Sequence, residues 1–205
     1  MTENRLKDEL SIFTIGHSNH ELEKFIHLLK SNKIDVLVDV RSNPYSRFAS
    51  HFNKDDIKRT VQANGIKYLF LGKELGGQPE GQEFYDKDGY VLYSRIAESA
   101  LFIEAINRLM NGITAYRVTL MCSEENPANC HRMLLVSRVL ENRGIAVFHI
   151  RGDGRLQSKD EVSREYERVK SNEAQQSLFK AKEAREWKST QSVLPKRALK
   201  NSLMP

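Results

Sequence analysis

Cysteine is scarce in this chain, two in 205 residues. That is too few for a disulfide scaffold and suits a reducing compartment. No apolar run approaches the ~18 residues a membrane span needs, and Met1 to Leu10 is polar and charged, unlike a signal peptide. Neither a Gly-x-Gly-x-x-Gly after the first strand pattern nor a Gly-x4-Gly-Lys-Ser/Thr is present, which disfavours dehydrogenase and P-loop ATPase readings. No internal repeat is visible. These absences point to a soluble, cytoplasmic protein with no cofactor and no membrane partner; the oligomeric state stays open.

What is there suits a packed domain. Hydrophobic residues make up 40% and charged residues of both signs 29%, a balance that argues against wholesale disorder. The length fits one domain of ~150 residues with an appendage. The net charge of +5 is uneven: from Lys170 onward eight Lys/Arg face three Glu, while the residues before them are balanced. A basic tail on a neutral body can steer toward phosphate polymers or anionic surfaces. It also reads as a solubilising, loosely docked helix.

Apolar periodicity alternates between strand and helix. Ser11–Ile15, Ile34–Val40, Ile66–Phe70, Tyr116–Met121 and Ile145–Ile150 read as five short buried strands. Between the first two, Leu22, Phe25, Ile26 and Leu29 fall on one helical face, and Ser18 with Glu21 has capping-box spacing. Asn126-Pro127 reads as the N-cap and first-turn proline of a helix running to Gly144. The pattern predicts a doubly wound, Rossmann-like α/β domain over residues 1–155, its mostly parallel five-stranded sheet covered by helices on both faces. Residues 156–205 read as a helical, basic extension, opened by a second capping-box spacing at Ser158 and Glu161.

In such a sheet, ligands bind beyond the carboxyl ends of the strands. There the chain sets His17 and Ser18 after the first strand and Arg41, Asn43 and Ser46 after the second. Gly76 and Gly77 follow the third strand, and Cys122, Ser123 and Glu124 close the fourth. A purely structural scaffold has no need of that gathering.

The runs Thr14-Ile-Gly-His-Ser18, Val38-Asp-Val-Arg41 with Pro44 and Ser46, Leu75-Gly-Gly77, and Leu120-Met-Cys-Ser-Glu-Glu-Asn-Pro-Ala-Asn-Cys-His-Arg132 resemble the domain of unknown function family DUF488. The resemblance covers roughly residues 11–152. It implies an α/β fold whose loops share a pocket, and it supplies no reaction.

Cys122 is the sharpest residue. The helix expected to start at Asn126-Pro127 would stabilise its thiolate, with Glu124, His17 and His131 as acid–base partners. Packing alone, or lining a pocket without reacting, are the other readings. A cysteine-dependent phosphatase needs an arginine six residues on, where this chain has Ala128 and reaches Arg132 only later; that reading fails, and a sulfurtransferase stays open. Ser18, Arg41, Asn43, Ser46, Gly76, Gly77 and Arg132 are the candidate substrate contacts for an anion. Cys122, Cys130 and His131 are soft metal donors. Adjacent residues on a helix point about 100° apart, however, so no metal site is expected.

The leading expectation is an enzyme acting on a nucleotide, nucleic acid or other anionic substrate. The alternative is a non-catalytic ligand- or nucleic-acid-binding module using the same pocket and the tail. A third reading is a subunit whose tail docks on a partner through Trp187.

Overall fold

A computed structural model describes residues 10–174 and 187–193. Its strands form where apolar residues are flanked on both sides. In β1 (Ser11–Gly16) and β5 (Val118–Cys122) nearly every residue is buried, as expected for strands covered on both faces. With β2 (Val36–Asp39), β3 (Lys67–Phe70), β6 (Ala146–Ile150) and β7 (Leu156–Ser158) they make a six-stranded sheet in the order β3-β2-β5-β1-β6-β7. Every neighbouring pair is parallel except β6–β7. The five expected strands form the parallel part. The sixth is a three-residue antiparallel edge, too short and too polar to signal itself.

Alternating side chains divide the interior into two cores. Phe13, Ile15, Leu37 and Met121 face α1 (Leu22–Ser31) and α2 (Lys54–Ala63), which contribute Phe25, Leu29, Ile57 and Val61. Ile12, Val38, Leu120 and Cys122 face the other way. On that side lie the short α3 (Gly72–Leu75), β4 (Tyr90–Leu92) and α4 (Tyr93–Glu98), followed by α5 (Ala100–Ile113) and α6 (Arg138–Asn142). This is the doubly wound arrangement expected. Among the described residues no helix is long and apolar enough to cross a membrane.

The extension is bound into the same body. β7 pairs with β6, and α7 (Lys159–Ala174) follows with a reciprocal cap: Ser158 N–H donates to Glu161 Oε2 at 2.7 Å and Glu161 N–H to Ser158 Oγ at 3.3 Å. Where the sequence reading had helix, β8 (Lys188–Ser192) is a strand antiparallel to β4. Trp187, read as a partner anchor, is engaged within the chain: its Nε1 donates to Leu134 O at 2.8 Å, and Arg138 lies 4.4 Å over its ring. Most of the tail's basic residues lie outside the described residues.

Two helix starts differ from expectation. Ser18 has φ 46° and does not cap α1, which begins after Glu21. The reason lies across the sheet, where His17 N–H donates to Cys122 O at 2.9 Å and Ser18 N–H to Ser123 O at 2.8 Å. Asn126 does cap, accepting from Ala128 N–H at 3.0 Å, but only a single 3-10 turn, Pro127–Asn129. The chain then extends at Cys130 (φ −110°, ψ 140°) before a wide π-helical turn, Arg132–Ser137, leads into α6.

Candidate active site

The extended Cys130 assembles the site. β5 delivers Cys122 to the sheet's carboxyl edge. The break at Cys130 turns both its sulfur and the next side chain, His131, back toward Cys122. His131 Nδ1 lies 3.7 Å from Cys122 Sγ and 3.8 Å from Cys130 Sγ. Glu124 Oε2 sits 2.9 Å from Cys122 Sγ and 3.2 Å from Cys130 Sγ, positioned to accept from either thiol. His131 Nε2 is 3.0 Å from Val40 O. A carbonyl can only accept, so Nε2 carries the hydrogen and Nδ1 is left facing the two sulfurs.

Electrostatics follow from this crowding, and the two thiols titrate as a pair. Burial opposes ionisation of Cys130, but the hydrogen bond from Cys122 and the charges of Arg132 and His131 outweigh it and hold that thiol below the usual range. Cys122 is pushed up, by its hydrogen bond to Cys130, by burial and by the Cys130 and Glu124 charges, so the Cys122 thiolate expected from a helix start at Asn126-Pro127 is not favoured: only a single 3-10 turn begins there. Burial works against the His131 imidazolium, yet Cys130 and Glu124 raise its pKa on balance.

A cavity of about 270 Å³ opens onto this cluster, with Cys122, Glu124 and His131 in its wall. Arg41 and Asn43 line it from the β2 side and Gly77 from the β3 side, as the placement of those loops implied. Tyr93, one of the aromatics flanking the long loop after the third strand, also lines it; sequence reasoning missed Ser42, Gln78 and Asn129, and the wall that β8 adds through Ser189–Gln191. Ser42 and Gln78 stand beside residues already singled out. The β8 wall has no local signal, because it depends on a strand pairing about a hundred residues away in sequence.

Other candidates serve the scaffold. His17 donates from Nδ1 to Ser18 O at 2.7 Å, accepts from Arg41 at Nε2 (3.1 Å) and stacks on Phe52. Burial and the Arg41 charge hold its pKa down at about 4, and it is outside the cavity wall. Arg41 is tied to Asp39, His17 and the Phe52 carbonyl. Its charge is offset by Asp39, and it offers the cavity no free fork. Arg132 is buried and donates to the carbonyls of Glu124 and Glu125, positioning the loop that carries Glu124. Ser46 Oγ accepts from Phe48 N–H at 3.2 Å, and neither Ser46 nor Ser18 lines the cavity. In the long loop after β3, Tyr85 donates to Pro79 O at 2.7 Å, and Lys188 lies over the Tyr90 ring.

The paired glycines act by close approach. A methyl on Gly76 would fall 2.2 Å from Gly72 O and from Ser42 Oγ; one on Gly77 would fall 2.8 Å from His131 Nδ1. Gly77→Ala is therefore expected to push the imidazole off its sulfurs and to cost stability as well, since the methyl also meets His131 Cγ at 2.8 Å and Cβ at 3.0 Å, the root of a buried ring tethered to Val40 O. A histidine chemical shift in an NMR titration that is unchanged in Gly77→Ala would contradict this.

Fold and cluster together define an α/β protein with a thiol–imidazole–carboxylate site in a strand-end cavity. The chain belongs to the family described as "Domain of unknown function DUF488", whose match spans residues 21–139. Two solved structures of a "Putative phosphatase (DUF442)" from Shewanella putrefaciens CN-32 are similar at 15% identity. One covers 69% of this chain and 78% of its own with a TM-score of 0.37. The other covers 92% and 83% with a TM-score of 0.38. No curated protein matches.

Proposed function

We propose that the protein is a thiol-dependent hydrolase or transferase acting on a small anionic substrate in this cavity. The observation that carries the reading is the convergence of Glu124 Oε2 and His131 Nδ1 on Cys122 Sγ at the cavity wall. A nucleophile with a base in hydrogen-bond reach is the arrangement covalent catalysis requires. Glu124 takes the Cys122 proton as the sulfur bonds to the substrate's electrophilic centre. The bond to the leaving group breaks, and that group takes up a proton from Glu124 or His131. Water or a second acceptor then attacks the moiety left on sulfur, yielding its proton to whichever of Glu124 and His131 gave one up, and the bond to Cys122 breaks as the sulfur takes a proton back. The side chains of Arg41, Asn43 and Gln78, all residues of the cavity wall, supply the polar contacts for the anion.

The cavity volume favours a single nucleotide-sized or smaller molecule over a polymer lying across the sheet edge. The charge preference is testable without knowing the substrate. Iodoacetate is expected to modify Cys122 in the folded protein faster than neutral iodoacetamide does, and the preference should vanish after unfolding. Equal preference in both states would remove the anionic substrate from the reading. With a substrate in hand, Glu124→Gln is expected to reduce turnover about 10²–10⁴-fold, the usual contribution of a general base, with the fold intact. Binding without turnover in the parent protein would favour the ligand-binding module instead.

A further inference from the structure

The same cluster has the donor set and spacing of a soft-metal site. From this we infer that Cys122, Cys130 and His131, with Glu124 as fourth donor, bind one zinc-like divalent ion per chain. The three sulfur and nitrogen donor atoms all lie within 4.8 Å of one another. Zinc bonds of about 2.3 Å to sulfur and 2.0–2.1 Å to nitrogen give a tetrahedral S···N edge of about 3.6 Å. The observed S···N distances are 3.7 and 3.8 Å. Glu124 Oε2, at 2.9 and 3.2 Å from the sulfurs, lies about 0.4–0.7 Å inside such an edge and reaches the fourth vertex by an outward swing.

Two further features belong to metal sites. His131 donates its other ring nitrogen to a backbone carbonyl, the outer contact that fixes the tautomer of a ligating imidazole and leaves its lone pair toward the ion. Both cysteines are 3% exposed or less, so an ion held there is shielded from competing water. The sequence objection, that neighbouring Cys130 and His131 diverge on a helix, does not apply because Cys130 is extended. Two thiolates and an imidazole select zinc, cobalt(II) or copper(I) over calcium or magnesium. Each thiol that is protonated beforehand releases its proton to solvent as its metal–sulfur bond forms.

The inference does not depend on the catalytic reading. An ion on both sulfurs withholds them from electrophiles, so the loaded protein is expected to be inert to alkylation whether or not the free thiols turn over a substrate. The test uses the full chain, reduced and stripped with a chelator, then titrated with cobalt(II) and with zinc against a chromophoric competitor. The expected result is one cobalt per chain, with thiolate-to-cobalt charge transfer and tetrahedral d–d bands. Stoichiometric zinc should bleach those bands and protect both cysteines from a thiol reagent. His131→Gln and Glu124→Gln should each weaken zinc binding by about 10-fold or more. Absence of the charge-transfer band in the parent protein overturns the inference, whatever the variants do. So does zinc affinity unchanged in a Cys122→Ser, Cys130→Ser double variant. A reduced chain that forms a Cys122–Cys130 disulfide and takes up no ion would mark the pair as redox-active and also overturn it.

Discussion

Asp39→Ala is expected to lower the unfolding free energy by about 3–5 kcal/mol, the range for removing one partner of a buried ion pair. Asp39 is 0% exposed and Arg41 4%. The carboxylate receives Arg41 Nε at 2.8 Å, a second guanidinium nitrogen at 2.6 Å, the Arg41 backbone N–H at 3.1 Å and the Tyr68 hydroxyl at 2.8 Å. Alanine leaves the guanidinium buried with only the Phe52 carbonyl and His17 to face, and a stability of ~5–15 kcal/mol tolerates few such losses. Removing the second charge as well, in Asp39→Ala with Arg41→Met, should recover part of the loss, since no unpaired ion remains. Urea unfolding of the two variants checks this. A single-variant loss under about 1 kcal/mol would mean that water reaches Arg41.

The second large effect is acid sensitivity. His17 is held down at about 4 by burial, then by Arg41. His149 is held down at about 3 by burial, then by Arg132 and Arg151, with Nδ1 2.7 Å from Thr14 Oγ1 and Nε2 without a hydrogen-bond partner among the described residues. Both folded values lie below the unfolded value of about 6.5, so between them the unfolded chain binds more protons than the native one. Stability contributed by these neutral imidazoles is therefore complete above pH ~6.5. It is lost as pH falls through 4 for His17 and through 3 for His149. At ~1.4 kcal/mol per pH unit the loss is on the order of 3 kcal/mol for His17 and somewhat more for His149. Urea midpoints should fall steadily from pH 6.5 to 4, and His149→Gln should flatten the lower part of that slope. Midpoints level across the window would contradict the burial of these rings.

The sheet was legible because its strands are continuous apolar runs bounded by polar turns. That regularity gave the parallel order's raw material, the two-sided burial and the edge on which Cys122, Glu124, Asn43 and Gly77 gather. Chemistry that depends on backbone conformation was not legible. Asn126-Pro127 has every local mark of a helix start, and it does cap a turn. Nothing in the sequence announces that Cys130 then extends, and this one break brings Cys130 and His131 onto Cys122. His17 looked like a proton carrier because a histidine at a strand end often is one. Burial against Phe52 and Arg41 makes it a neutral strut instead. The wall built by β8 was hidden for a different reason: polar Lys188–Ser192 pairs through its backbone with a distant strand, and periodicity does not report such partners.

The convergence of two bases on a cavity-facing Cys122 is tested most directly by mapping alkylation on folded, reduced, metal-stripped protein. Peptide mass spectrometry would follow Cys122 and Cys130 separately, in the parent chain and in Glu124→Gln. Cys130 is the more readily ionised thiol, but only Cys122 lines the cavity, so the expected result is adduct first on Cys122, with Cys130 slow behind it and the Cys122 rate reduced in Glu124→Gln. Equal, slow modification of both cysteines, unaffected by Glu124→Gln and seen only as the protein unfolds, would mean that Cys122 is packed core and that the cavity has no nucleophile.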